Sequence, residues 1–326
     1  DAAVIEPVPG SGKGLAIANG LATNIGDPAL GGNPYQMALA AIDECVRNLV
    51  CVGANPDRIA ILDNFCWPSC AKPENLAALV RACVGCYDGA KAYKTPFISG
   101  KDSLNNQFTT RDGRLIEIPP TLLISGVGIV DDVSKCVTMD AKRAGNKLFF
   151  IEPVRTHDEG EAWQRSLRRF GNSHYAKLFG LPSGYDPCGP KVDLEATTAV
   201  AHAVSESIAD GLVVSAHDVS DGGAMVTVAE MLIAAGGELG ATLPYGVYND
   251  ETDGYFFGER PGCYVLEVED KGDAISAICE KHPSVGGNVL GYLNSSGELS
   301  FHPGLDGNDP IPVADLTAAW LGTLDN

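Results

Sequence analysis

Four polar clusters in this 326-residue sequence carry residue types that can hold a nucleotide phosphate or a divalent cation. The run Ser99-Gly100-Lys101-Asp102-Ser103-Leu104-Asn105-Asn106 follows a short apolar stretch, where a strand is expected to give way to a loop. Backbone N–H groups, a hydroxyl and an ammonium can meet a phosphate together in such a loop. The spacing is not that of a G-x-x-x-x-G-K-[ST] phosphate loop, and taken alone a polar turn with a solvated lysine explains it more simply. The second cluster, His217-Asp218-Val219-Ser220-Asp221-Gly222-Gly223, is expected between a strand and a helix. Helix N-termini favour anions and paired carboxylates favour Mg²⁺, so the mixture suits a metal-bound polyphosphate. Capping by Asp and Ser is the plainer alternative, and His217 is read as structural, with no proton-transfer role.

The third cluster is Glu44 and Asn48, four apart on one predicted helix and therefore on one face, where their oxygens can complete a Mg²⁺ shell. Its alternative is a solvated stripe in which Asp43 pairs with Arg47. The fourth, Asp63-Asn64, closes the predicted strand Ile59 to Leu62, at a strand end where both ligand residues and turns gather. Cys66, Cys70, Cys83 and Cys86 give C-x3-C-x12-C-x2-C, a superficial likeness to a zinc site. Cys83 and Cys86 also fall in the helical pattern Leu76-Leu79-Val80-Cys83-Val84, which favours core packing.

The elements that must position these clusters alternate between short apolar runs and longer periodic ones. Strands are expected at Ala3 to Ile5, Leu15 to Ala18, Ile59 to Leu62, Pro96 to Ser99 and Leu122 to Val130. Pro34 opens a long helix with Asn33 as its N-cap, and a second helix covers about Pro73 to Ala92. After a boundary near Met139 to Gly145 come strand Lys147 to Ile151, a polar region Arg155 to Gly189 and helix Leu194 to Asp210. Strand Leu212 to Ser215, a helix from the Asp-Gly-Gly segment to Ala235, strands Tyr264 to Val268 and Val289 to Tyr292, and helix Ala274 to Lys281 complete the second part. The expected class is α+β or mixed α/β in two domains, 1–139 and 140–326.

With 42 acidic against 23 basic residues the net charge is -19, a field that repels nucleic acid and anionic lipid, so neither is an expected partner. No apolar run reaches the roughly 18 residues that span a bilayer, and the chain start has neither a basic region nor a cleavage pattern. The expected location is the cytoplasm, where ten scattered cysteines fit reduced buried thiols better than a disulfide framework.

Taken in order, these clusters resemble the second of two homologous halves of the phosphoribosylformylglycinamidine synthase synthetase family, within the wider aminoimidazole ribotide synthetase superfamily. The likeness runs through Lys13 to Gly20, Ala41 to Glu44 with Arg47-Asn48, Ile61-Leu62-Asp63-Asn64-Phe65-Cys66-Trp67-Pro68, Phe97 to Asn106 and His217 to Gly223, nearly the whole chain. It implies an N-terminal domain whose sheet packs on its counterpart from the first half, and a C-terminal α/β domain. It further implies ATP-dependent conversion of formylglycinamide ribonucleotide to the amidine, with ammonia from a glutaminase domain or subunit. Carried over by position, Asp63, Gly100 and Lys101 would contact ATP and Ser103 the substrate. Members of the small type place an Asn that binds Mg²⁺ where Lys101 stands, and an ammonium cannot ligate Mg²⁺. Either Asp102 supplies the oxygen or Lys101 meets phosphate. A second position, filled by ADP in long-chain members, would use Asp218 and Ser220, with Glu44, Asn48, Asp218 and Asp1 on Mg²⁺. The family's catalytic histidine lies in the first half, and His157, His174, His202, His217, His282 and His302 offer no match for its His-rich loop. The isolated chain is therefore expected to be inactive, its partner being the first half or, in isolation, a second copy in a homodimer. Two alternatives stay open: a non-catalytic nucleotide-binding scaffold half, or another ATP-dependent enzyme of the superfamily.

Overall fold

The computed structural model describes residues 1–27, 30–154, 170–181, 191–243, 250–269, 272–301 and 309–322. Much of the predicted polar region, together with His157 and His302, lies outside the described residues. The first part runs β1 (Ala3–Ile5), β2 (Gly14–Leu21), a four-residue turn α1 (Thr23–Gly26), α2 (Pro34–Cys51), β3 (Ile59–Cys66), α3 (Pro73–Tyr93), β4 (Phe97–Ser103), the hairpin β5 (Gln107–Thr109) and β6 (Leu115–Glu117), and β7 (Thr121–Val130). As expected, Asn33 caps α2, its side chain accepting from the Tyr35 N–H, with Pro34 at the first helical position.

Strands order as β1-β2-β7-β3-β4, antiparallel except for the parallel pair β3 and β4. Helix α2 is apolar on nearly every side because it is covered by the sheet, by α3 and by the second part of the chain, burying Met37, Ile42, Leu49 and Val50 among others. Gly20 lets the end of β2 reach it: a Cβ there would sit 2.2 Å from the Ala41 carbonyl oxygen. The opposite sheet face, set by the two-residue alternation of strands, presents Ile5, Ile17, Leu21 and Leu62, each at least a third exposed.

Two sequence expectations are corrected here. Gly100 to Ser103 is not a loop but the second half of β4, and Asp63-Asn64 lies inside β3 rather than at its end. Both strands continue because each offers the other a backbone ladder, Asp63 opposite Gly100 and Cys66 opposite Ser103, and an edge strand tolerates polar side chains that face water.

The second part comprises β8 (Lys147–Pro153), α4 (His174–Phe179), α5 (Leu194–Ala209), β9 (Val213–Asp218), α6 (Gly223–Ala234), β10 (Gly240–Leu243), α7 (Asp250–Phe257), β11 (Tyr264–Val268), α8 (Gly272–Glu280), β12 (Val285–Asn294), β13 (Glu298–Phe301), β14 (Ile311–Pro312) and α9 (Val313–Gly322). Its seven strands order as β14-β13-β10-β12-β8-β11-β9. Strand β9 runs three residues past the predicted Ser215, so His217 and Asp218 are strand residues paired with β11. One apolar core crosses from the first sheet to the second, joining Leu49 and Ile61 to Val204, Tyr264 and Leu266. A separate core under α6 holds Phe150, Met231 and Leu290. No helix among the described residues is long and apolar enough to cross a membrane.

Candidate functional site

Polar groups collect in two places, and the first is the junction between the two parts. Arg47 on α2 donates from Nε and Nη2 to Asp218 Oδ2 of β9, at 3.3 and 3.1 Å, and from Nη1 to Asp43 one turn earlier. The predicted Asp43–Arg47 pair therefore exists, but it is not the solvated stripe expected of it: the residues are 1% and 4% exposed. The second part of the chain covers that face of α2. Asp43 also accepts from Tyr93 OH at 2.5 Å and from the Gly262 N–H at 2.9 Å. Each charge in this buried network has a partner, the condition under which ionised side chains persist in an interior.

Beside it, Glu44 Oε2 accepts from the Leu21 N–H at 2.8 Å, a contact that the close approach at Gly20 permits. Burial, and then the Asp218 carboxylate, push the Glu44 carboxyl up to about 8, against the opposing pull of that N–H. Glu44, Arg47, Ser220, Asp221, His174 and Glu259 face one cleft between the two parts. Glu259 Oε1 accepts from the backbone N–H groups of Gly222 and His174, each at 2.9 Å, and lies 3.0 Å from His174 Nδ1. Its pKa is raised by burial despite those donors. It fixes the turn that carries Ser220 and Asp221 against α4.

Asp1 comes to this junction as well: its Oδ1 lies 2.9 Å from His217 Nδ1 and 3.4 Å from the Asp218 backbone N. His217 Nε2 is 2.9 Å from Glu230, so both ring nitrogens are held by carboxylates. Asn48, one turn beyond Glu44, donates to the Asn19 carbonyl at 3.2 Å. Of the four expected Mg²⁺ ligands, Asp1 and Asp218 lie with His217 close enough to share a cation, Glu44 feels the Asp218 charge but is hydrogen-bonded to Leu21 of β2, and Asn48 also lies beside β2. Hard oxygen donors with a surplus of carboxylate suit Mg²⁺, and Glu44, whose proton is held first by burial and then by the Asp218 charge, is a group that a cation would ionise.

The second place is the β3–β4 edge. Asp63 and Gly100 are opposite each other and on one face, so close that a Cβ on Gly100 would lie 2.5 Å from Asp63 Oδ1. The register puts Asp102 on that same face and Lys101 with Ser103 on the other, where Lys101 Nζ donates to Ser103 Oγ. Burial raises the Asp63 pKa, the Lys101 backbone N–H lowers it and Asp102 raises it again. The expected ATP contacts accordingly do not share a face: Asp63 and Gly100 look toward α3, and Lys101 looks away. Cys83 of α3 feels both carboxylates, after burial, in its raised thiol pKa. Among the described residues no cysteine stands in a group close enough to hold a metal ion.

Sequence reasoning missed the roles of Asp43, Arg47, Tyr93 and Glu259. For Arg47 the signal was its position between Glu44 and Asn48. For Glu259 there was none, since its partners are distant in the chain.

Comparison with known proteins places this architecture. Models of the AIR synthase related protein family match residues 1–130 (N-terminal domain) and 143–302 (C-terminal domain). The phosphoribosylformylglycinamidine synthase subunit PurL of Synechococcus sp. (strain CC9902) is 32% identical over 99% of this chain and 42% of its own length. That of Rhodospirillum rubrum is 35% identical over 99% of this chain and 40% of its own. The chain thus spans about two fifths of the curated relatives it matches. Among solved structures, Thermotoga maritima PurL complexed with FGAR superposes with a TM-score of 0.71 at 17% identity, over 97% of this chain and 48% of that one. Thiamine-monophosphate kinase from Stenotrophomonas maltophilia gives 0.59 at 12% identity, over 92% and 91%. With both domain models matched in order and relatives above 30% identity along its whole length, the chain belongs to the AIR synthase related protein family.

Proposed function

We propose that this chain acts as the second half of a phosphoribosylformylglycinamidine synthase synthetase, contributing one wall of its active site and a second nucleotide position. The observation that carries this reading is the cleft in which Glu44, from the first part of the chain, meets Ser220 from the second, with Asp218 clamped behind them. Relatives named for that synthase cover the whole chain, and fold neighbours were solved with FGAR, ADP and ATP.

At the β3–β4 edge the proposed reaction needs ATP to transfer its terminal phosphoryl to the formyl-amide oxygen, after which ammonia displaces that oxygen as phosphate. The residues here bind and orient rather than supply a nucleophile. Gly100 lets a nucleotide approach beside Asp63, and Asp102, on the Asp63 face, is the oxygen donor that replaces the family's Asn. Lys101 and Ser103 share the open face with Ile17 and Leu62, so Ser103 meets the substrate where the first half packs on that apolar surface. The first half brings the catalytic histidine and, with a glutaminase, the ammonia. At the junction, Asp1 and Asp218 would hold Mg²⁺ with Glu44 beside them, and Ser220 would contact the second nucleotide. Mg²⁺, when bound, supplies the countercharge that a polyphosphate needs in so acidic a cleft. The network behind Asp218 is buried and fully paired, which also favours the second reading, a scaffold half whose nucleotide is retained without turnover.

Mixing the chain with a first-half chain and measuring ammonia-dependent synthesis tests the proposal. Neither alone should make product, and the mixture should. Turnover by the chain alone, or an inactive but stable complex, would defeat it, the latter in favour of the scaffold. In a separate melting experiment, Mg²⁺ with ADP at about 100 times its dissociation constant should add roughly 2.7 kcal/mol, and Asp218→Asn should remove most of that gain.

A further inference from the structure

We propose that Asp43 is a positioning residue for the junction site, acting through Arg47 to present one particular oxygen of Asp218 to a bound cation; this rests on the second nucleotide position proposed above. Both Arg47 contacts to Asp218, from Nε and from Nη2, fall on the same oxygen, Oδ2. A guanidinium fork closed on one oxygen anchors Oδ2 and leaves Oδ1 as the oxygen free of Arg47. Asp43, one turn earlier on the same face of α2, holds the fork in that orientation by taking its remaining arm, Nη1.

Asp43 is itself over-determined. Its Oδ1 takes the Tyr93 hydroxyl from α3, which also lies 2.7 Å from Thr197 Oγ1 on α5. Its Oδ2 takes the Gly262 N–H, immediately after Glu259-Arg260-Pro261 on the cleft wall. Asp43 faces no cleft and touches no proposed ligand, yet it reads the positions of α3, α5 and the cleft wall and passes one result to Asp218 through a single guanidinium. Its effect should therefore be confined to what Asp218 does, which is to meet the cation and not the nucleoside.

The test is calorimetric titration of the whole chain with ADP, once with Mg²⁺ and once with EDTA, for wild type, Asp43→Asn, Tyr93→Phe and Asp218→Asn. Asparagine keeps the size of Asp43 and an acceptor for Arg47 and Gly262 while removing the charge. Asp43→Asn should weaken ADP binding about tenfold with Mg²⁺ and change the metal-free affinity by less than about twofold, as expected when one carboxylate contact to the cation is misdirected. Tyr93→Phe, which removes one donor to Asp43 but leaves the Asp43–Arg47 ion pair in place, should change both affinities by less than about twofold. Should Asp43→Asn fail to fold, Arg47→Lys, which keeps the charge but loses the fork, must show the same Mg²⁺-selective loss. An Asp43→Asn protein that binds like wild type while Asp218→Asn does not overturns the positioning role and leaves the site standing. Equal losses with and without Mg²⁺ make Asp43 merely structural and overturn it too. Absence of Mg²⁺-dependent ADP binding in wild type removes the site itself.

Discussion

The junction and the β3–β4 edge hold similar residues and solve opposite problems. At the junction Asp43, Arg47 and Asp218 are buried to within a few per cent, each charge is paired, and the geometry is complete within one chain. At the edge, β4 is exposed from Ile98 to Asp102, the Lys101 ammonium engages its neighbour Ser103 and, among the described residues, no other hydrogen-bond partner, and the open face continues into exposed isoleucines and leucines. One site is preassembled by folding. On the proposed function, the other is a half-surface that a second sheet would complete. A buried polar network tolerates almost no change, whereas an exposed one shows its importance only when its partner arrives.

Stability measurements sharpen that contrast most. Arg47→Met leaves Asp43 and Asp218 buried without their cation and should cost about 3 to 5 kcal/mol in urea unfolding. Lys101→Met, which removes the same charge from the exposed edge, should stay within about 0.5 kcal/mol. Similar losses in both would mean that the junction is wetter than its geometry implies.

The pH dependence comes next in size. The native Glu44 pKa, about 8, stands above its ordinary 4.5, so the folded chain holds this proton more tightly than the unfolded one. Its contribution is full below about pH 4.5 and is lost as pH rises toward 8, on the order of 2 to 4 kcal/mol over that window. In metal-free buffer Glu44→Gln should flatten the fall in stability between those limits. An unchanged slope would place the Glu44 carboxyl in contact with solvent. Nothing comparable is expected at the edge, where Asp63 is only partly buried.

How much of this was legible beforehand follows from how local each signal is. The Asn33-Pro34 start of α2 could be read because a cap and an N1 proline act within one turn. The pairing of Glu44 with the Asp218 segment was legible only through the family resemblance, since no local pattern links α2 to β9. The continuation of β4 through Gly100-Lys101-Asp102 was misread because polarity resembles a loop, and only the parallel partner β3 shows otherwise. The same error hid the two-residue alternation that sends Lys101 and Asp102 to opposite faces. The burial of Asp43 was invisible because its cover, the Gly262 turn and α5, is assembled from the other part of the chain.

Gly100→Ala probes the edge from within. Its methyl would press on Asp63 Oδ1, and overpacking of this kind typically costs about 1 to 3 kcal/mol. Because the strand is exposed, the cost should appear as a raised KM for ATP in the reconstituted enzyme, with unfolding little changed. A variant with normal ATP kinetics would remove the nucleotide from the Asp63 face. The corresponding loss at the junction would be one of stability, which keeps the two sites distinguishable by the same pair of measurements.

Ser103→Ala should give the smallest effect and the finest distinction. The hydroxyl accepts from Lys101 Nζ in the free chain, so it is already oriented on the open face and needs no rearrangement to meet a ligand. Removing one neutral hydrogen bond should cost about 0.5 to 1.5 kcal/mol, read as a raised KM for formylglycinamide ribonucleotide with kcat nearly unchanged. Lys101→Ala should cost more, about 1.5 to 3 kcal/mol, if its ammonium leaves Ser103 for a phosphate on substrate binding. The order of the two losses decides what the pair does. A larger loss for Ser103→Ala would mean that Lys101 serves only to aim the hydroxyl, and losses confined to kcat would move both residues from binding to the chemical step.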